Sequence, residues 1–180
     1  MESDVLETDI SQWGSAVVAG NLPYYITSPI LRKILSLGPR LRQAVLLVQK
    51  EVAERLAAKP GSRRYGFLTV ETSLYATTEI LFTLPPSAFR PSPKVDSAVV
   101  RLLPSASTAS LRIEDQAKFL HFVGLSFHQK RKTISNNLAG HYGRTLLDSR
   151  PEASLRAEQL SLAQFAQLFH DLEQGCATNL

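Results

Sequence analysis

Residues 15–24 read SAVVAGNLPY, an apolar run that ends in a polar turn stiffened by proline. The run 15–19 predicts a buried strand of the kind found in parallel sheets. Ser28 followed by Pro29 predicts a helix that starts with a capping serine and a proline in its first turn. A strand, a turn and a helix in this order indicate part of an α/β fold.

Further strands and helices follow this first strand. The predicted strands are 44–48, 79–84 and 97–103, and the last two flank a proline-rich turn at 85–93. The helix that starts at Ser28 has an apolar face formed by Ile30, Leu31, Ile34 and Leu35. Two more helices are predicted at 51–58 and 67–75. These elements predict an α/β fold class for the first part of the chain.

Beyond a segment of small residues at 104–110 the pattern becomes helical. Apolar residues recur there at spacings of three and four, namely Phe119, Phe122, Val123 and Phe127. The last helix begins with a capping box formed by Ser161 and Gln164. Its predicted buried face consists of Phe165, Leu168, Phe169 and Leu172. We therefore predict an α/β domain at 1–103, a linker at 104–110 and a helical domain at 111–180.

The charge of the chain is unevenly distributed. The net charge is +4 overall, but residues 1–31 contain four acidic residues and no Lys or Arg. Residues 32–101 contain twelve basic and five acidic residues, and residues 102–180 contain eight and seven. A basic middle after an acidic start favours a polyanionic partner, because neutralising phosphates releases counterions. The alternative interpretation is a solvated basic face.

Cysteine usage and hydropathy point to the cytoplasm. Cys176 is the single cysteine, which excludes an internal disulfide framework and fits a reducing compartment. No apolar run approaches the roughly 18 residues of a membrane span, so we expect no membrane partner. We also expect no metal site, because metal-ligand spacing is missing among the four histidines, His121, His128, His141 and His170.

The turn at 21–24 has the residue types that methyl transfer to an exocyclic adenine amine requires. That nitrogen is a poor nucleophile, because its lone pair is delocalised into the ring. The Asn21 side-chain oxygen and the Leu22 carbonyl would accept both amine hydrogens and favour a localised lone pair, and Pro23 would keep them preorganised. Tyr24 would stack on a base taken out of its helix. The alternative is an ordinary strand-to-helix turn, because a four-residue match is not specific.

Three further stretches follow the turn in order. They are FRPSPKVDS at 89–97, QKRKTI at 129–134 and LRAEQLS at 155–161. With the turn, they resemble the ribosomal RNA adenine dimethyltransferase family over essentially all 180 residues. The resemblance implies an α/β fold: the C-terminal portion of a Rossmann-like, S-adenosylmethionine-dependent methyltransferase sheet, followed by a small all-helical domain.

The same resemblance implies a reaction and a partner. Methyl groups would pass from S-adenosylmethionine to the exocyclic amine of adenines in a small-subunit (16S) rRNA loop. The partner would be the 30S ribosomal subunit or its precursor, and the enzyme would be cytoplasmic and monomeric at full length.

The resemblance also assigns roles to single residues around the turn. Asn21 would accept from the target amine and lie beside the methyl group of S-adenosylmethionine, and Leu22 would offer its carbonyl as the second acceptor. Tyr24 would stack on the flipped adenine, and Phe89 would cover the base from its other side. The alternative for Phe89 is a plug at the edge of the sheet. The neighbouring Tyr25 is predicted to lie in the core.

Further roles implied by the resemblance lie outside the turn. Asp4 would accept a hydrogen bond from the adenine amine of the cofactor. The residues that would contact RNA are Lys130, Arg131, Lys132, Arg63 and Arg64. The alternatives are a solvated helix end for the first three, where positive charge is favourable, and ordinary loop charges for the two arginines.

The sequence departs from the family pattern at the cofactor loop. A doubly wound methyltransferase begins with a strand, a Gly-rich loop and a helix. No two of the nine glycines are separated by a single residue. In the family, about half of the sheet would therefore precede the first residue of this chain. That half amounts to on the order of 80 residues, at ~30 per βαβ unit. The remaining strands would then expose an unpaired edge.

This departure gives a first testable prediction. Residues 1–180 alone should bind S-adenosylmethionine weakly or not at all, because most of the cofactor pocket is missing. Isothermal titration calorimetry checks this, and micromolar binding by the 180-residue chain would refute it.

Two other functions remain open from the sequence. One is a non-catalytic RNA-binding or ribosome-assembly module, which the missing Gly-rich loop favours and the intact turn at 21–24 disfavours. The other is a DNA adenine methyltransferase, which the basic segment at 130–132 and the small helical domain disfavour.

Overall fold

The computed structural model describes residues 3–105 and 110–178. The chain divides into two compact units, 1–57 with 75–105 and 58–74 with 106–180. The sequence assigns 58–74 to the first domain, so the units differ from the predicted domains in this segment. The domain boundaries stay a prediction, since a compact unit is not by itself an independently folding domain. Residues 106–109 of the predicted linker lie outside the described residues.

The first unit is built, within its described residues, on a four-stranded sheet of strand order β1-β2-β4-β3. The strands are β1 (Ala16–Asn21), β2 (Leu41–Gln49), β3 (Ala76–Leu84) and β4 (Ser97–Pro104). Strand β1 is parallel to β2, whereas β4 is antiparallel to both β2 and β3. A parallel pair needs a crossover connection, and helix α1 (Thr27–Leu35) lies between β1 and β2 in the chain.

Strands β2 and β4 lie in the middle of this sheet and supply its core. Their fully buried apolar residues are Ala44, Leu46, Val48, Ala98, Val100 and Leu102. The register pairs Ala44 with Leu102 and Leu46 with Val100, so these side chains share one face. The predicted buried strand at 44–48 is confirmed.

Strand β1 is less buried than its apolar sequence predicts. Its residues alternate between half-buried and exposed, and Val17 is 63% exposed. Among the described residues β1 pairs only with β2, so its outer edge is uncovered. The strand itself is confirmed, but the prediction that it is buried is wrong, because burial of an apolar strand requires packing on both faces of the sheet and alternate residues of β1 are exposed.

Helix α1 begins at Thr27, one residue before Ser28. The predicted Ser28 cap is therefore wrong, and the preceding turn explains why. The Thr27 hydroxyl donates to the Pro23 carbonyl at 3.1 Å, which ties Thr27 into the first helical turn. The predicted apolar face is confirmed, since its four residues Ile30, Leu31, Ile34 and Leu35 are all buried. Helix α2 (Lys50–Leu56) follows β2 directly.

The second unit is helical in its described residues. Its helices are α3 (Phe67–Ser73), α4 (Gln116–Ser126), α5 (Ile134–Tyr142), α6 (Arg144–Asp148) and α7 (Leu162–Thr178). Phenylalanines of α4 and α7 form its core. The rings of Phe119 and Phe169 meet edge-on with centroids 5.6 Å apart, and those of Phe122 and Phe165 do so at 6.4 Å. Such edge-to-face pairs are favourable beyond the area they bury.

Helix α7 starts as its sequence predicts. The Ser161 backbone N–H donates to Gln164 Oε1 at 2.9 Å, and the Gln164 N–H donates to Ser161 Oγ at 3.3 Å. These two bonds confirm the capping box. The predicted buried face is confirmed as well, because its four residues are buried. Within the described residues no helix combines the length and apolar composition needed to cross a bilayer.

Segment 58–74 packs against helical residues of the second unit. Tyr65 is 4% exposed, and its ring centroid lies 6.3 Å from that of Phe127. A Cβ added at Gly124 would lie 3.7 Å from the Phe67 ring, so α3 approaches α4 closely at this glycine. The Gly61 N–H donates to the Glu158 carbonyl at 2.7 Å. These contacts are long-range in sequence, and local patterns do not reveal them.

The buried Tyr65 gives a prediction for alkaline pH. Burial raises the pKa of Tyr65 from 10.0 to about 12. The unfolded chain therefore loses the Tyr65 proton first as the pH rises. The contribution of the protonated Tyr65 to the free energy of unfolding is complete below about pH 10. This contribution is lost between about pH 10 and 12, by roughly 2 kcal/mol. Urea unfolding of wild type and Tyr65→Phe at pH 8 and pH 11.5 checks this. The variant should lose less stability between the two pH values, and equal losses would contradict the assignment.

Candidate active site

The turn after β1 continues the sheet before it leaves it. Asn21 is the last residue of β1 and pairs with Leu47 of β2. The Leu22 N–H donates to the Leu47 carbonyl at 3.0 Å, and the Leu22 side chain is 7% exposed. The carboxyl ends of parallel strands are the usual place for ligands in α/β sheets. The sheet hydrogen bond and the buried side chain therefore fix the turn at such an end.

Within the described residues, hydrogen bonds of the turn occupy the Pro23 carbonyl and leave the Leu22 carbonyl open. The Pro23 carbonyl accepts from the Ile26 N–H at 3.2 Å and from the Thr27 hydroxyl, which also lies 3.4 Å from the Tyr24 carbonyl. Pro23 has φ −59°, the value its ring imposes. Local bonds therefore hold residues 23–27 in one conformation.

Two oxygen acceptors at the start of this turn have no hydrogen-bond partner in the described part of the chain. The Asn21 side chain is exposed, and it forms no hydrogen bond with the described residues. The Leu22 carbonyl likewise accepts no hydrogen bond from the described part of the chain. An amide oxygen and a backbone carbonyl on consecutive residues can accept from the two hydrogens of one amine. The predicted acceptor pair is thus available, on a turn whose other carbonyls are occupied.

The two tyrosines of the turn have different surroundings. The Tyr24 ring is half-buried, and its hydroxyl lies 2.5 Å from Ser97 Oγ at the start of β4. Tyr25 is 87% exposed, so the prediction that it lies in the core is wrong. Residues 24–26 form a 3₁₀ turn, in which successive side chains point about 120° apart. Adjacent rings cannot both face the sheet in such a turn.

The contact between Tyr24 and Ser97 has no sequence signal of its own. The two residues are 73 positions apart. The stretch at 89–97 that resembles the dimethyltransferase family does end on Ser97, which is the one hint that the sequence contains. Pairing of β4 with β2 brings Ser97 opposite Gln49, at the same end of the sheet as the turn.

Phe89 lies in the connection between β3 and β4. Its backbone is extended and its side chain is half-buried. Ser92 Oγ donates to the Pro86 carbonyl at 2.8 Å, and this bond joins two residues on either side of Phe89 in the connection. Within the described residues no hydrogen bond or ring contact joins Phe89 to Tyr24. The structure therefore does not bring the two rings into direct contact.

A pocket of about 350 Å³ adjoins the turn. Asn21, Leu22 and Pro23 line it, together with residues of α1 and of the N-terminal segment that includes Val5 and Trp13. This volume lies in the range of small-molecule sites. The lining is mainly apolar, and its charged member among the described residues is Lys33.

Asp4 is exposed and takes part in a local turn. Its Oδ1 accepts from the Leu6 N–H at 2.8 Å, and its carbonyl accepts from the Thr8 N–H at 2.9 Å. The next residue, Val5, lines the pocket. Asp4 therefore precedes a pocket-lining residue in the sequence. One of its carboxylate oxygens already accepts a hydrogen bond from the Leu6 backbone.

The predicted RNA-contacting residues all belong to the second unit. We call them the basic cluster: Arg63, Arg64, Lys130, Arg131 and Lys132, all of which are exposed. Lys130 Nζ donates to the Arg63 carbonyl at 3.4 Å, so two segments that are far apart in sequence meet here. Five cationic side chains therefore lie on two adjoining segments.

Comparison with known proteins places this site in context. A model of the family described as ribosomal RNA adenine dimethylase matches residues 1–174. Ribosomal RNA small subunit methyltransferase A of Prosthecochloris aestuarii is 42% identical over 172 residues, which cover 94% of this chain and 64% of that protein. The corresponding protein of Chlorobium chlorochromatii is 43% identical over 173 residues, with the same coverage. The chain thus spans 64% of the length of these curated relatives.

Two solved structures are similar in fold. A dimethyladenosine transferase from Plasmodium falciparum has a TM-score of 0.80 and 25% identity, covering 97% of this chain and 72% of that chain. The 23S rRNA methyltransferase ErmE has a TM-score of 0.65 and 27% identity, covering 88% and 65%. Both confirm the predicted fold class, an α/β portion of a Rossmann-like methyltransferase sheet combined with helices. The chain belongs to the ribosomal RNA adenine dimethylase family.

Proposed function

We propose that this chain carries the amine-binding site of an rRNA adenine dimethyltransferase that acts on a small-subunit rRNA loop. The observation that carries the proposal is the acceptor pair at Asn21 and Leu22, which faces no partner among the described residues. Membership of the family and the names of the curated relatives support the reaction and the substrate class. Activity of the whole protein is part of the proposal, because the chain spans 64% of those relatives.

The acceptor pair would act on the target amine directly. Asn21 Oδ1 accepts one amine hydrogen and the Leu22 carbonyl oxygen accepts the other, which localises the nitrogen lone pair for attack. The sheet bond to Leu47 and the proline turn hold the Leu22 carbonyl and the backbone of Asn21, so the backbone of the site needs no reorganisation during the reaction. The amine proton leaves to solvent or to an acceptor at the turn after the nitrogen–carbon bond forms.

S-adenosylmethionine would supply the electrophilic methyl group on a sulfonium, which is a good leaving group. The residues present fit that group in part. The pocket beside Asn21 offers apolar surface and a volume of about 350 Å³. Its described lining contains no carboxylate to hold the ribose hydroxyls, which doubly wound folds usually supply. Asp4 stays a proposed contact to the cofactor's adenine.

Tyr24 and Phe89 would hold the base from its two faces. A base stacks about 3.5 Å from an aromatic ring, so two rings that enclose it lie roughly 7 Å apart and do not touch. The lack of direct contact between Phe89 and Tyr24 in the described structure is compatible with this arrangement. One open face of the half-buried Tyr24 ring would receive the base.

The basic cluster would bind RNA backbone. Replacing Lys130, Arg131 and Lys132 together by Ala should weaken binding to a small-subunit rRNA fragment. It should also flatten the slope of log affinity against log salt by about 2, since each phosphate contact to a single strand contributes about 0.7. Fluorescence anisotropy at several salt concentrations measures both quantities.

The matched control removes three exposed cations elsewhere in the second unit, by changing Arg112, Lys118 and Arg144 to Ala. This variant has the same net charge as the first, so non-specific attraction changes equally. Equal slopes for the two triple variants would show that the basic cluster is a solvated face.

Methyl incorporation from labelled S-adenosylmethionine separates this proposal from the alternatives. The chain used is extended at its N-terminus by the half of the sheet that contains the Gly-rich cofactor loop in the family pattern. Incorporation into 30S particles and not into duplex DNA is expected. Preferential labelling of duplex DNA would favour a DNA methyltransferase. Binding to 30S particles without incorporation would favour a non-catalytic RNA-binding module. The lack of a carboxylate in the described lining of the pocket supports this alternative.

A further inference from the structure

The Tyr24 hydroxyl forms a side-chain hydrogen bond that links the turn to a distant strand. Its oxygen lies 2.5 Å from Ser97 Oγ. Ser97 is fully buried, with 0% of its surface exposed. A buried hydroxyl needs a partner, and this bond satisfies both groups at once. The contact therefore fixes the far end of the Tyr24 ring.

Ser97 is itself held from several sides. It is paired with Gln49 of β2 on one side and with Leu84 of β3 on the other. The preceding carbonyl, that of Asp96, accepts from the Lys50 N–H at 3.0 Å, and Lys50 Nζ lies 3.2 Å from Asp96 Oδ2. These bonds join the end of β2 to the start of β4. Ser97 Oγ is thus a nearly fixed point in the sheet.

The other end of Tyr24 is anchored by its own turn. The Thr27 hydroxyl lies 3.4 Å from the Tyr24 carbonyl and 3.1 Å from that of Pro23, and Thr27 is buried. The ring is therefore attached at its backbone and at its hydroxyl. Free rotation of the side chain would break the bond to Ser97. One orientation of the ring is favoured before any base arrives.

We propose that Ser97 is a positioning residue, which holds the Tyr24 ring in the orientation that stacks on the target base. The inference rests on the proposed function, since it takes Tyr24 as the stacking residue. Ser97 does not touch the base. It acts through Tyr24 by removing the freedom that the ring would otherwise lose on binding, and preorganisation of this kind strengthens binding.

A double-mutant cycle separates this role from a merely structural one. The probe is a single-stranded uridine oligonucleotide with one 2-aminopurine, whose fluorescence falls when the base stacks. The variants of the 180-residue chain are Ser97→Ala, Tyr24→Phe and the two combined. Each single change should raise the dissociation constant from the fluorescence change by about 3- to 10-fold, the cost of immobilising one side chain on binding. The combined variant should be no weaker than either single variant, because both changes remove the same bond.

Two further variants sharpen the result. Ser97→Thr keeps the hydroxyl and should restore most of the stacking signal. Ser126→Ala removes another fully buried serine hydroxyl, one that donates to the Phe122 carbonyl at 2.9 Å in the second unit. It should leave the dissociation constant unchanged, so a general effect of losing a buried hydroxyl is controlled.

The outcomes distinguish the two proposals. If Tyr24→Leu abolishes the fluorescence change but Ser97→Ala does not alter it, the positioning role is overturned and base stacking by Tyr24 stands. If Ser97→Ala weakens binding by the same factor in the wild type and in the Tyr24→Phe variant, the role of Ser97 is structural and the inference is overturned. If Tyr24→Leu leaves the fluorescence change intact, Tyr24 does not stack, and both the inference and the base-binding part of the proposed function fail.

Discussion

Asn21→Ala is expected to lower methyl transfer by about 10²–10³-fold while RNA affinity stays nearly constant. The substitution removes one of the two proposed acceptors for the target amine, and loss of one such group typically has an effect of this size. The Leu22 carbonyl remains, so the amine keeps one partner. The proposed RNA contacts lie in the basic cluster of the second unit, which the change does not touch. Single-turnover kinetics on 30S particles with the N-terminally extended chain measures the effect.

The control for this prediction is Asn136→Ala. Asn136 is an exposed asparagine of α5 and has no part in the proposed site. Its replacement removes the same side chain and should leave the transfer rate unchanged. Turnover of Asn21→Ala within a few-fold of wild type would contradict the role assigned to Asn21.

Phe122→Ala is expected to destabilise the second unit by about 3–5 kcal/mol. Phe122 is 1% exposed and packs against Phe165 and Phe169, with ring centroids 6.4 and 5.4 Å away. Removing its ring leaves a cavity between α4 and α7 that these neighbours fill only in part. Urea unfolding followed by near-ultraviolet circular dichroism gives the change in free energy.

The chain contains a matched control for this substitution. Phe82 of β3 is 54% exposed, so Phe82→Ala removes the same atoms from a site that is largely in contact with water. Its effect should stay below about 1 kcal/mol. Equal losses for the two variants would show that the aromatic cluster does not stabilise the second unit.

The periodicity of apolar residues predicted the helices that bury one continuous apolar face. The face of α1 at residues 30–35 and that of α7 at residues 165–172 repeat every three to four positions, and both are buried. Local chemistry also predicted the capping box at Ser161, which depends on residues three positions apart. Such features are encoded within one or two turns of the chain, so a single sequence reveals them.

Features that depend on distant neighbours were not predictable in this way. The run at 15–19 has the composition of a buried strand, but burial is decided by what lies beside it, and Val17 is 63% exposed. Ser28 has the residue type of a cap, yet the hydroxyl of Thr27 bonds to the preceding turn instead. Segment 58–74 follows the first α/β elements in sequence and packs with helices that come much later.

The same distinction applies to the candidate site. Residue types indicate which groups of the turn can accept hydrogen bonds from an amine, because the chemistry of an amine restricts which groups can bind it, and their roles stay a prediction. They did not predict that Tyr24 faces Ser97 while Tyr25 is 87% exposed, since this choice depends on the 3₁₀ turn and on a strand that lies 73 residues away.

We propose that the turn at 21–24 presents an adenine amine of small-subunit rRNA for methylation. Mass spectrometry of nucleosides from 30S particles, after reaction with the N-terminally extended chain, tests this proposal. The expected product is adenosine methylated on its exocyclic nitrogen, and its initial rate of formation should fall by about 10²–10³-fold when Asn21 is replaced by Ala. Methyl groups found on another nucleoside or another atom of adenosine, or an unchanged rate of formation with Asn21→Ala, would contradict the proposal.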